Sequence, residues 1–205
     1  MKMKKIKAAI TGGIGSGKST FSNFISAKGY PVINVDDVSK EILVSDKEIK
    51  LKVQKEFGKE SYKDGEINKK FLAEKIFSNS QNVVKINSIV HPKVIEKVNI
   101  LLSEKLKSFN IVFAEAALIY EAEMEKYFDY VILITADEKL RLKRKVELDN
   151  FSEEQFLKRN ENQIPDIEKK KRADFIFENN GNLDDLKKKA DLLTIILKGV
   201  KWNTD

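Results

Sequence analysis

The octapeptide Gly12-Gly13-Ile14-Gly15-Ser16-Gly17-Lys18-Ser19 constrains this chain more than any other feature. It is a complete Gly-x-x-x-x-Gly-Lys-Ser loop, and its residue types specify a phosphate ligand, a divalent cation and a class of folds together. The glycines let the backbone curl, so that N–H groups from Gly13, Ile14, Gly15, Ser16, Gly17, Lys18, Ser19 and Thr20 face a nucleotide phosphate. Lys18 can then reach the outer phosphates, and the Ser19 hydroxyl can serve Mg²⁺. The flanks agree with this reading. Ile6-Lys7-Ala8-Ala9-Ile10-Thr11 reads as a buried strand, and Phe21, Phe24 and Ile25 share one face of a following helix. A loop between a strand and a helix N-terminus favours anions.

Further strand-like runs recur at Pro31–Val35, Ile111–Ala114, Tyr130–Ile134 and Phe175–Phe177. They are near-continuous apolar runs, not alternating ones, which is the habit of parallel strands covered on both faces. The expected fold is therefore α/β: a three-layer P-loop fold with a five-stranded parallel sheet. The long gap from Asp36 to Asn110 reads as helices throughout, with a turn at Asp64-Gly65. A helical stripe of Val94, Val98, Leu101 and Leu102 follows Pro92, which suits a helix start. Residues 138–172 are charged and helical, and suit either a mobile lid over phosphates or a solvated hairpin. Leu183, Leu186, Ala190, Leu193 and Leu197 form the core-facing stripe of a last helix, and residues 199–205 read as a frayed tail.

Composition narrows the class. With 205 residues, 41% of them hydrophobic, the chain suits one domain, or one core with a small insertion. A formal charge of +6 with 34% charged residues suits an anionic ligand, a polyanion such as nucleic acid or a membrane surface, or simply a solvated basic surface. No cysteine is present, so disulfides and thiolate metal sites are excluded. The apolar stretch after Met1–Lys5 is too short for a secretory signal, and no run is long enough to span a membrane. A soluble cytoplasmic protein is the default expectation.

Individual residues then suggest chemistry. Asp36 and Asp37 follow the second strand, where ligands of open α/β sheets sit. A carboxylate there can accept the proton of an attacking hydroxyl, or it can simply N-cap the next helix. Glu115 ends the third core strand, the place of a second carboxylate for Mg²⁺ or of a structural capping acid. His91, the only histidine, suits a packed polar group or a functional one. Arg141, Arg144, Arg159 and Arg172 are candidate clamps for a transferred phosphoryl group, or surface charges. No guanine-specificity Asn/Thr-Lys-x-Asp signature, nucleophile elbow or zinc spacing is present.

Beyond the loop, an ordered series of motifs resembles the dephospho-CoA kinase family nearly end to end. The series comprises Ile10–Thr20, Pro31–Asp36, Glu56-Phe57-Gly58, Asp64-Gly65, Asn87–Pro92 and Ala116–Glu121. It continues with Ser152-Glu153-Glu154, Arg159, Gln163, Ala173-Asp174 and Asn179-Asn180-Gly181. There are departures: Asn34 where many relatives carry an acid, Lys40 for a common arginine, Ala117 for a proline, Asn68-Lys69 for Asp-Arg, and a short insertion near 145–151. The resemblance implies ATP and Mg²⁺ as cofactors and dephospho-CoA as the small-molecule substrate, phosphorylated on its ribose 3′-hydroxyl. It implies Asp36 as the base, with Lys18 and Arg141 or Arg144 as the charges on the transferred group. Asn179 would lie near the adenine. His91, Leu118, Tyr120 and Glu121, with Asp36, would contact substrate, while Ser19 and Glu115 would serve the metal.

The expected organisation is a single domain over 1–205. Its core would be 1–36, 108–136 and 173–205, with a CoA-binding helical insertion over about 37–107 and a lid over about 137–172. No nucleic-acid or membrane partner is expected, and the chain should be a monomer or weak homo-oligomer. The nearest rival is another small-molecule P-loop kinase, acting on a nucleoside, nucleotide or shikimate-like acceptor. A nucleotide-gated nucleic-acid binder would need an aromatic-basic patch, and the basic residues here are spread along the chain.

Overall fold

A computed structural model describes residues 5–149 and 151–199. Of the frayed tail expected at 199–205, Gly199 is instead the last residue of a helix, and residues 200–205 lie outside the described residues. The chain forms two compact units, Met1–Asn34 with Ile100–Asp205, and Val35–Asn99.

The first unit is built on five parallel strands: β1 (Ile6–Thr11), β2 (Val32–Asn34), β5 (Ile111–Glu115), β6 (Tyr130–Thr135) and β7 (Phe175–Glu178). Their order in the sheet is β2-β5-β1-β6-β7. The register pairs Ile10 with Glu115, Asn34 with Glu115, Thr11 with Leu133, and Thr135 with Glu178. All five strand positions read from sequence are present, to within a residue or two at their ends.

The apolar runs are continuous because both sheet faces are covered. On one face, Ala8, Ile10, Phe113, Ile132 and Ile134 pack with Phe21 and Ile25 of α1 (Lys18–Ala27) and with Leu186, Ala190, Leu193 and Leu197 of α9 (Leu183–Gly199). On the other face Val112, Ala114 and Leu133 are also fully buried. Each of these buried Val, Leu, Ile and Phe side chains contributes about 1.5–3 kcal/mol from burial. Because all the strands are parallel, the carboxyl ends of β1, β2, β5, β6 and β7 share one edge, where the glycine loop and the acid of β5 emerge.

The second unit holds α2 (Val35–Ser45), α3 (Lys47–Phe57), the hairpin strands β3 (Tyr62–Lys63) and β4 (Glu66–Ile67), α4 (Lys69–Phe77), and the first part of α5 (Ser80–Ser108). Two expectations change here. The segment is not helical throughout: Asp64 and Gly65 have φ of 52° and 88°, and close an antiparallel hairpin of the two-residue type. Pro92 also does not start a helix, but lies inside α5. Its ring removes one backbone hydrogen bond and costs about 3 kcal/mol. The stripe Ile86, Val90, Val94, Val98 and Leu102 is buried on both sides of it, and that packing outweighs the loss.

The charged stretch forms α6 (Glu138–Asp149), α7 (Glu153–Glu161) and α8 (Asp166–Arg172). Ser152 and Gln155 close a capping box at the start of α7, which fixes where that helix begins. Among the described residues no helix is long and apolar enough to cross a membrane.

Candidate nucleotide-phosphate site

The glycine loop leaves β1 and runs straight into α1, whose N-cap is Gly17 at φ 93°. No side chain caps that helix end, so its first N–H groups are directed at whatever the loop encloses. Three loop glycines are required by geometry: at Gly12, φ 157°, a Cβ would sit 2.2 Å from the Ile134 carbonyl oxygen. Gly15 has φ 78°, and a Cβ there would sit 2.5 Å from the Arg141 carbonyl oxygen. Gly17 would drive a Cβ into the Asn179 amide. That amide donates to the Ser16 carbonyl at 2.9 Å, and Arg144 Nη2 donates to the Asn179 carbonyl at 2.9 Å. Asn179, just past β7, therefore fixes the loop from behind.

At the helix end of the loop, the Ser19 hydroxyl donates to Glu115 Oε1 at 2.9 Å. Glu115 is 5% exposed and stands at the end of β5. The fold thus brings together the two residues that the family resemblance implies for a metal. Among the described residues no group of three or more His, Cys, Asp or Glu side chains could hold an ion. The pair fits a small hard cation that takes one or two protein oxygens and completes its shell with phosphates and water.

Beside the loop opens a cleft of about 1060 Å³, lined by Gly15, Lys18, Thr20, Arg144, Leu148 and Leu183 among others. Its polar side is the loop and Arg144, whose partial burial pulls the guanidinium below its usual pKa. Leu148 and Leu183 are largely exposed and offer apolar faces suited to a flat base. Asn179 lines the same cleft.

The two arginines of α6 separate in role. Arg144 lines the cleft, whereas Arg141 is 6% exposed and turned under the loop. Its Nη1 donates to the Ile14 carbonyl at 3.2 Å and to Asn160 Oδ1 at 3.0 Å. In this structure Arg141 holds the loop backbone.

The Ala116–Glu121 stretch also departs from expectation. Leu118 is half-buried, but Tyr120 is 2% exposed, lies under the Arg172 guanidinium at 4.5 Å, and has its hydroxyl pushed up to about 12 by burial. Glu121 accepts from the Ile164 N–H at 2.8 Å and pairs with Lys169 at 2.9 Å. Tyr120 and Glu121 thus face inward, and their side chains fasten α8.

Arg172 is committed to Tyr120 and to an ion pair with Glu125, which removes it from the candidate clamps. Arg159 lies over the Phe151 ring at 4.7 Å.

In the second unit, Asp36 and Asp37 are both exposed and sit in the first turn of α2, which begins at Val35. Neither is the N-cap, so that alternative is set aside. Asp37 Oδ1 accepts from Lys40 at 2.7 Å, which raises the lysine pKa. His91 is half-buried on α5.

Three residues here were not singled out as site candidates by sequence reasoning. Gln163 Oε1 accepts from the Ile14 N–H at 3.0 Å, across 149 positions of sequence. Asn160 joins Arg141, and Lys169 is wholly buried. Gln163 appeared only as part of a motif series. Lys169 sits in a run of four basic residues with nothing in sequence to set it apart from Lys170.

With this geometry established, the known proteins that resemble the chain are informative. The dephospho-CoA kinase family model matches residues 6–185. A dephospho-CoA kinase of Fusobacterium nucleatum is 35% identical over 183 residues, covering 89% of this chain and 93% of that protein. Among solved structures, a dephospho-CoA kinase from Campylobacter jejuni superposes with a TM-score of 0.63 at 26% identity, over 94% of this chain and 97% of that one. A shikimate kinase from Acinetobacter baumannii superposes at 0.57 with 17% identity, covering 96% of each chain, and shares the P-loop kinase fold.

Proposed function

The chain belongs to the dephospho-CoA kinase family, which phosphorylates dephospho-CoA with ATP in the last step of coenzyme A biosynthesis, and from that premise we propose how its residues divide the work. The observation that carries the proposal is the meeting of Ser19 and Glu115 at the end of an intact Gly-x-x-x-x-Gly-Lys-Ser loop. ATP lies with its phosphates on the loop and its base in the cleft between Leu148 and Leu183, beside Asn179. Ser19 and Glu115 hold Mg²⁺, which supplies charge neutralisation on the phosphate oxygens when bound. The acceptor is the ribose 3′-hydroxyl of dephospho-CoA, which the helical unit containing His91 binds together with Leu118.

Asp36 orients that hydroxyl and takes its proton as the 3′-oxygen forms a bond to the terminal phosphorus. The bond to the bridging oxygen breaks, and ADP leaves. Such a transfer depends on positioning and on stabilised charge. Lys18 and Arg144 supply the protein's positive charge at the transferring group. The support for Asp36 is its place in the chain: an exposed acid two residues beyond Asn34, whose register partner is Glu115. The enzyme works as a cytoplasmic monomer or weak homo-oligomer, and nucleic acid and membranes are not its partners.

The position of the added phosphate tests this reading. Phosphorus–proton coupling in the product should place it on the ribose 3′-carbon, and a phosphate elsewhere would refute the assigned acceptor. Asp36→Asn should lower kcat by about 10²- to 10⁴-fold while ATP still binds. Near-normal turnover in that variant would remove Asp36 as the base.

A further inference from the structure

The peptide unit of Ile14 is gripped on both sides by the charged helical segment. Its carbonyl accepts from Arg141, and its N–H donates to Gln163 Oε1 at 3.0 Å. The residue after Gln163 is fastened in turn, because the Ile164 N–H donates to Glu121 at 2.8 Å and Lys169 closes on the same carboxylate oxygen at 2.9 Å. Gln163 is therefore held at the loop by a buried ion pair behind it.

The two grips differ in kind. Arg141 donates to a carbonyl, and a phosphate oxygen, itself an acceptor, cannot serve that carbonyl in its place. Gln163 binds an N–H of the phosphate loop, and loop N–H groups are the donors that phosphates use. Gly15, Gly17, Lys18, Ser19 and Thr20 line the cleft, while Ile14 precedes them on the strand side. The Ile14 N–H therefore lies toward the end of the phosphate chain farthest from the base. A neutral carboxamide oxygen and a charged phosphate oxygen compete for it there, and charge-assisted bonds are about twice as strong.

We propose that Gln163 is a positioning residue: it holds the Ile14 N–H until the terminal phosphate of ATP arrives and takes it over. The segment from α6 to α8 thereby distinguishes ATP from ADP, because a diphosphate ends short of Ile14 and leaves the Gln163 bond intact. The inference rests on the ATP-on-loop reading above and adds the residue that senses the third phosphate.

Calorimetric affinities of Mg·ATP and Mg·ADP for the full chain, Gln163→Glu and Gln163→Ala test it, with unfolding midpoints to show that each variant is folded. In Gln163→Glu a carboxylate stands where the terminal phosphate must come. At an effective dielectric of about 20, like charges a few ångströms apart repel by well over tenfold in affinity. ATP should weaken at least tenfold more than ADP. In Gln163→Ala the competitor is gone, and the affinity ratio of ATP to ADP should rise about two- to fivefold. If Gln163→Glu does not fold, the alanine ratio alone decides. Equal weakening of both nucleotides, or a ratio within experimental error of the unmodified protein, is what a merely structural glutamine would give and would overturn the proposal. An unmodified chain that binds neither nucleotide would instead refute the phosphate-loop reading beneath it.

Discussion

The glycine loop and the α6–α8 segment bind to each other, yet they are held by different physics. The loop takes its shape from its own backbone, with three glycines at positive φ, a strand before it and a helix N-terminus after it, and the Asn179, Arg141 and Gln163 side chains bond to that backbone. The segment is held by its own side chains reaching distant parts of the chain: Arg141 and Gln163 bond the Ile14 peptide, Lys169 pairs with Glu121, and Arg141 with Asn160 ties α6 to α7. A backbone-held element presents the same donors whatever its surroundings. An element held by a few side-chain bonds can exchange partners when a ligand offers better ones, which is what a cover over phosphates requires.

Removing the loop's charge should separate chemistry from stability. Lys18→Ala is expected to lower turnover by about 10³-fold, as loss of a charge stabilising a transition state does, with little change in the unfolding midpoint. Steady-state kinetics and a urea titration check both halves; unchanged kinetics would contradict the role of the loop.

The converse variant lies behind the segment. Lys169 is 0% exposed, and its ammonium lies 2.9 Å from Glu121 without good hydrogen-bond geometry. Lys169→Met keeps the volume but leaves the Glu121 charge nearly buried and unpaired, and should destabilise by about 3–5 kcal/mol in urea unfolding. A loss below about 1 kcal/mol would show that this pair is not what fastens α8.

The smallest effect should come from the exposed flank of the same segment. Lys158→Ala breaks an exposed helical pair with Glu154 and should change stability by no more than about 0.5 kcal/mol. A much larger effect would blur the contrast between interior and surface anchors.

This contrast also explains what sequence could reveal. Continuous apolar runs located all five core strands, and local motif chemistry located the loop, Ser19 and Glu115. These signals are carried by neighbouring residues, or by residue types that stand at strand ends. The hairpin at 62–67 was half legible: Asp64-Gly65 announced the turn, but the flanking strands are two residues each and too short for a period to register. Pro92 misled because a local rule met a longer buried stripe that overrode it. Arg141 and Arg144 lie on one helix, and only the fold shows which faces the cleft and which the loop. Gln163 and Lys169 could not have been singled out, since each acts through a partner far away in sequence. Motif resemblance marks the positions of Tyr120 and Glu121, and only the fold shows that their side chains point inward.

The most direct measurement is ATP-to-ADP turnover with dephospho-CoA, run beside AMP, CMP, UMP, adenosine and shikimate, with product mass checked for one added phosphate. Turnover confined to dephospho-CoA, giving coenzyme A, is the predicted result. Turnover with a nucleotide or shikimate and none with dephospho-CoA would contradict the account of the acceptor.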